Sequence, residues 1–188
     1  MNELIEQGAD WITLLSFGIN RWVQAFLMDL ARYLIGVGLV TFILLVAYRP
    51  FSVRRRIQPR RANKADIQRE LFHSLVTVMV YASVAVFTIE MIELGWTRLY
   101  MDVSLYGLTY LIATIPMLLV LHDAYFYWAH RLMHQQWLFR RVHRIHHLSR
   151  TPTSWAAYSF SVWEALAMTL FVPLIMFVVP LHPISRFV

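Results

Sequence analysis

Four apolar runs, each close to the ~20 residues that the hydrocarbon core of a bilayer demands, dominate this chain at about 30–48, 71–94, 105–121 and 155–179. A soluble domain of 188 residues has no room to bury that much continuous apolar sequence. Hydrophobic residues make up 59% and charged residues 15%, against roughly 45–50% and 25% in soluble proteins. A soluble enzyme and a disordered chain are both excluded. The pattern predicts an all-α polytopic integral membrane protein, with about four transmembrane helices in a single membrane domain spanning 1–188. Proline supports one boundary: Arg49-Pro50 closes the first run, because proline removes a donor and disfavours helix in the residue before it.

The residues ahead of the first run do not read as a signal peptide, since Glu3, Glu6 and Asp10 stand where basic residues belong. Trp11, Leu14, Leu15, Trp22, Phe26 and Leu27 recur at near-helical spacing and predict an interfacial amphipathic helix.

The net charge of +6 has an uneven distribution. Loops 49–70 and 122–150 hold thirteen of the seventeen Lys and Arg residues, while the intervening loop 95–104 holds one. The positive-inside rule places both basic loops in the cytoplasm, and the two intervening spans agree with it. That orientation fits a bacterial inner membrane or the endoplasmic reticulum. The run 54–64 also has the composition to meet anionic headgroups. No aromatic platform interleaves its arginines, which argues against nucleic acid.

Cysteine is absent, so metal chemistry must use histidine and carboxylate. Six of the eight histidines fall within 26 residues, at His122, His130, His134, His143, His146 and His147. If the first group lies on a helix continuing from the third span, Asp123, Tyr127, His130 and His134 follow a 4-3-4 spacing and share one face. His130 and His134, one turn apart, can chelate one ion. Asp123 would orient a ligand or bind directly, and Asp123 and Tyr127 are the candidate catalytic side chains. His143, His146 and His147 have i, i+3, i+4 spacing, again one helical face. Neutral imidazoles suit zinc, copper or iron. A zinc-protease motif needs glutamate after the first histidine, and Arg131 stands there. Haem clamped between facing helices does not suit histidines one turn apart, and a metal transporter would carry its ligands inside the spans.

The segments DAYFYWAHRLMH (123–134) and HRIHHLSRTPTSWAAYSFSVWEA (143–165) resemble the fatty acid hydroxylase/sterol desaturase superfamily of membrane oxygenases. The paired HX3H and HX2HH boxes carry the likeness, with Tyr127-Trp128 and Ala157-Tyr158-Ser159-Phe160 beside them. The resemblance implies a four-helix membrane fold with a cytosolic histidine cap holding two iron ions, zinc being the weaker match. It implies a di-iron oxidoreductase that uses O2 and an electron-donor redox partner to hydroxylate or desaturate a lipid C–H bond in a fatty acid, sterol or related molecule. It carries over His130, His134, His143, His146 and His147 as metal ligands. Relatives have a further histidine box downstream, so the resemblance predicts that the C-terminus is incomplete at Val188. It also meets a departure at Ser161-Val162-Trp163-Glu164, where many relatives have histidine before Pro and Glu, and this weakens a role for Glu164. The alternatives are a b-type cytochrome-like redox or metal-binding subunit, and an inactive truncated fragment.

Overall fold

The computed structural model describes residues 11–47, 49, 54 and 60–184. Its long helices are α1 (Trp11–Phe42), which runs on into a π-helical turn (Ile43–Ala47), α2 (Lys64–Glu93) and α3 (Gly107–Met133). All three are long and apolar enough to cross a membrane. Two shorter helices follow, α4 (Val162–Thr169) and α5 (Phe171–Val178). Among the described residues there is no β-strand, only an isolated bridge between Leu99 and Leu181. The protein is an all-helical polytopic membrane protein.

The helices expose much of their apolar surface. Leu15, Ile19, Leu27, Ile35 and Leu39 on α1 are open to the surroundings, as are Ile112, Leu119 and Val120 on α3. In water such continuous apolar patches would drive aggregation; against acyl chains they are matched, and the helical backbone satisfies its own polar groups.

Antiparallel pairing of α1 and α2 follows from contacts at both ends. At one end Arg21 bonds Glu90 at 2.9 Å and also pairs with Glu93, and the Trp22 indole donates to Ser83 at 3.0 Å. Toward the other end Tyr33 and Val37 pack on Val78, with Trp155 and Tyr158 against them. The Tyr33 hydroxyl and the Ser74 hydroxyl both donate to the Trp155 carbonyl, at 2.8 and 2.9 Å. The N-terminus of α2 is stopped by a capping box in which Asn63 and Asp66 bond each other's backbone N–H, satisfying donors that a helix start leaves free.

Two helix boundaries differ from the periodicity reading. The amphipathic stretch near the N-terminus is not a separate helix but the first half of α1. Its polar residues made it resemble an interfacial element. In the structure, Arg21 and Trp22 find partners on α2, so no break is needed to hydrate them. The 32-residue helix is about 48 Å long at 1.5 Å per residue, and must tilt or project beyond a ~30 Å core. The second difference is at 155–179. Residues Ser154–Tyr158 form a 3-10 turn, and the remaining helix is cut between α4 and α5 at Leu170. Pro173 explains the cut, because it has no N–H for the carbonyl four residues back, that of Thr169, and its ring crowds that carbonyl.

The two ends of the bundle have different chemistry. One end gathers Arg60, Asp66 and the histidine-rich segment, with Arg69 donating to the Leu148 carbonyl at 3.0 Å. At the far end the chain after α5 returns to the start of α3: Arg98 and Leu181 exchange backbone bonds with their neighbours, and the Tyr110 hydroxyl donates to the Pro180 carbonyl at 3.0 Å. Leu118, Met176 and Leu181 form a second buried cluster there. Because the native chain has no cysteine, single-cysteine labelling can check this arrangement cleanly. Arg54→Cys and Met101→Cys are expected to react with a membrane-impermeant maleimide from opposite faces of sealed vesicles; reaction of both from one face would contradict it.

Candidate metal centre

Helix α3 continues without interruption through the first histidine group, so His130 sits in its last turn and His134 is its C-cap residue. The chain turns through Gln136–Leu138, then a π-helical turn Phe139–His143, then the α-turn Arg144–His147. The π turn accommodates an extra residue compared with an α turn and rotates His143 inward. His143 is fully buried.

All five box histidines converge. The His143 ring lies 4.5 Å from His130, 4.7 Å from His134, 4.6 Å from His147 and 5.4 Å from His146, centroid to centroid. The Nε2 atoms of His130 and His134 are 3.1 Å apart. Imidazoles bound at about 2.1 Å to one ion sit roughly 3.0–3.4 Å from each other, so this pair has the spacing of two ligands. One nitrogen from each of His130, His134 and His143 falls within a 4.8 Å span. Phe126 stacks on His130, Phe139 abuts His134 and His147, and Phe160 flanks His146. These aromatic rings pack along the cluster, whose outer members His134 and His147 remain exposed.

Glu164 orients the innermost ring. His143 Nδ1 and a Glu164 carboxyl oxygen share a hydrogen bond at 2.8 Å, both side chains being essentially inaccessible, and burial pushes the Glu164 pKa up to about 8. With Nδ1 engaged, Nε2 is the free ring nitrogen, and among the described residues His143 Nε2 is buried with no hydrogen-bond partner. A buried imidazole nitrogen left bare while its partner nitrogen holds a carboxylate is the arrangement of a metal ligand. Burial pushes the His143 pKa down to about 3, and the neighbouring imidazoles push it the same way. His146 and His147 are also shifted downward, by burial first. His143 is therefore neutral at physiological pH, the form that binds metal.

Sequence reasoning undervalued Glu164. The signal was present as Ser161-x-x-Glu164, a capping-box pattern. Ser161 does cap α4, accepting from the Glu164 N–H at 3.1 Å, and its hydroxyl also donates to the Val142 carbonyl. The carboxylate, however, turns away from the cap and is committed to His143. One short motif thus starts α4 and ties it to the histidine turn.

Asp123 and Tyr127 lie on the same helix but outside the cluster. Asp123 is exposed, about two turns from His130. Tyr127 is exposed and accepts a bond from Arg131 at 3.0 Å, and the Arg131 guanidinium also lies 5.3 Å from the Trp128 ring centroid. His122 is likewise apart, packed edge-on against Phe171 at 5.1 Å.

Residues 115–188 match the family model for fatty acid hydroxylases, and that segment contains the whole cluster together with Glu164. The chain belongs to the fatty acid hydroxylase/sterol desaturase superfamily. It is 30% identical over 129 residues to human lathosterol oxidase, covering 68% of this chain and 40% of that protein. It is 32% identical over 91 residues to the Schizosaccharomyces pombe Delta(7)-sterol 5(6)-desaturase erg31, covering 48% of this chain and 30% of the relative. A second S. pombe desaturase, erg32, is 25% identical over 166 residues, which is 87% of this chain and 50% of that protein. The superfamily member described here thus spans half or less of the length of these relatives. No solved structure matches it.

The role of Glu164 can be measured directly. Glu164→Ala removes the partner of His143 without touching a ring, and is expected to weaken metal affinity by about 10–100-fold, the usual effect of losing such an outer partner. Competition with a graded series of chelators reads this out, and unchanged affinity would show that His143 is oriented by packing alone.

Proposed function

We propose that this chain forms the histidine-box region of a membrane-bound iron oxidoreductase that hydroxylates or desaturates a lipid. The reading rests chiefly on the buried, unpartnered Nε2 of His143 at the centre of four other imidazoles. Relatives named as sterol desaturases and lathosterol oxidases support a lipid as substrate, with sterols and fatty acids the leading classes.

In this proposal His130, His134, His143, His146 and His147 hold iron, as two ions with ligands additional to these five. Bound iron supplies the activation of O2, a reaction that consumes two electrons from a redox partner and two protons. Hydroxylation inserts one oxygen atom into a C–H bond and releases the other as water; desaturation removes two hydrogens and releases two waters. The protein's own part is positional. Glu164 holds His143 Nδ1 and so directs Nε2 inward, while Phe126, Phe139 and Phe160 pack along the imidazoles. Asp123 and Tyr127, on the α3 stripe one to two turns toward the membrane, are proposed to contact the substrate or the water around it. The site lies where α3 leaves the apolar zone, so a lipid chain can enter from the bilayer while its head stays at the interface. The basic end is assigned to the cytoplasm by the positive-inside rule.

His130→Ala and His146→Ala are expected to lose iron and lipid oxidation together while still inserting into membranes, since neither residue supports a span. Elemental analysis of protein in mild detergent, followed by mass spectrometry of lipid products formed under 18O2, reads both. Full metal content in both variants would overturn the ligand assignment. A Soret band in the purified protein would replace it with the cytochrome reading.

A further inference from the structure

A half-open cavity of about 460 Å³ lies at the basic end of the bundle, away from the ring cluster and lined by Thr41, Leu44, Leu45, Arg61, Thr151 and Trp155 among others. Its walls are divided by polarity. Leu44 and Leu45 come from the π-helical turn that ends α1, and with Trp155 they make an apolar side. That side is continuous with the lipid-facing surface of α1, where Val46 is also exposed.

The polar side is basic. Arg60, which also borders the cavity, is ion-paired at 3.1 Å to Asp66, and Arg69 takes the other Asp66 oxygen at 3.1 Å. Asp66 is thus engaged by Arg60 and Arg69, and no bond to it from Arg61 is formed. Arg61 is exposed and has no ion pair among the described residues. A second polar group is also unspent: Thr41 Oγ1 is buried with no hydrogen-bond partner, although a helical threonine ordinarily donates to a carbonyl one turn back.

We propose that this cavity binds the headgroup of an anionic glycerophospholipid, with the phosphate on Arg61 and the Thr41 hydroxyl and one acyl chain along Leu44 and Leu45. Guanidinium is the side chain whose planar donors match phosphate oxygens. A free phosphate ion would leave the apolar wall wet, and a zwitterionic lipid would set its own ammonium against Arg61. The position suits a lipid, because it lies where an apolar helix gives way to a basic segment, the level at which headgroups sit. This site is separate from the histidine cluster and stands whether or not the chain oxidises lipids.

Native mass spectrometry of the full chain in mild detergent tests it, with phosphatidylglycerol and phosphatidylcholine of identical acyl chains as probes. Wild-type protein is expected to retain phosphatidylglycerol at one site at least five times more tightly than phosphatidylcholine. Arg61→Gln is expected to erase most of that preference, and Arg61→Lys to keep part of it. Leu45→Trp, which fills the apolar wall and leaves every charge in place, is expected to lower retention of the lipid as well. Arg54→Gln removes a basic residue from the same segment but outside the cavity lining, and is expected to change nothing. Equal retention of both lipids, an equal loss in Arg54→Gln, or complete displacement of phosphatidylglycerol by millimolar inorganic phosphate would each overturn the proposal.

Discussion

The hydrogen bond between His143 and Glu164 fastens the histidine turn to α4, alongside the Ser161 bond to the Val142 carbonyl. His143 belongs to a polar, basic turn, and Glu164 starts an apolar helix. Both side chains are buried, and burying an imidazole and a carboxylate is costly unless each satisfies the other. The bond makes the contact directional as well as favourable. It sets the height of α4 against the end of α3, and it decides which nitrogen of His143 faces the other four rings.

A second set of contacts holds this unit against the first helix pair. The Trp155 carbonyl receives both the Tyr33 and Ser74 hydroxyls, from α1 and α2 respectively. Two residues earlier, the Thr153 hydroxyl donates to the fully buried Glu70 at 2.6 Å. The segment after the second histidine group is therefore fastened to α1 and α2 by polar groups at the level where the apolar spans begin. Such bonds have few competitors in a low-dielectric setting and rigidify what they connect.

Much of this was legible in the sequence. The apolar runs announced α1, α2 and α3, and the 4-3-4 and i, i+3, i+4 spacings announced two histidine faces. What spacing does not encode is where a helix stops when its polar residues have partners elsewhere. Arg21 interrupts the apolar pattern, and only the structure places Glu90 and Glu93 beside it. Pro173 was visible, yet a run of apolar residues gives no weight to a single missing donor. Glu164 is discounted in the sequence because it stands in Ser161-Val162-Trp163-Glu164 where many relatives have histidine before Pro and Glu, and only the tertiary structure shows that its carboxyl is used by a residue 21 positions away. Asp123 and Tyr127 show the opposite limit, since a shared helical face brings residues into line without bringing them into contact with the rings.

The π-helical turn at Phe139–His143 has a consequence for where the second histidine group faces. Wound as a regular α turn, the same residues would swing every later side chain by about 100° about the helix axis. His143 would then face outward and Glu164 would be left buried and alone. The interval between the two histidine groups thus carries one residue more than an unbroken α-helix would hold, and the π turn absorbs it without turning the rings away.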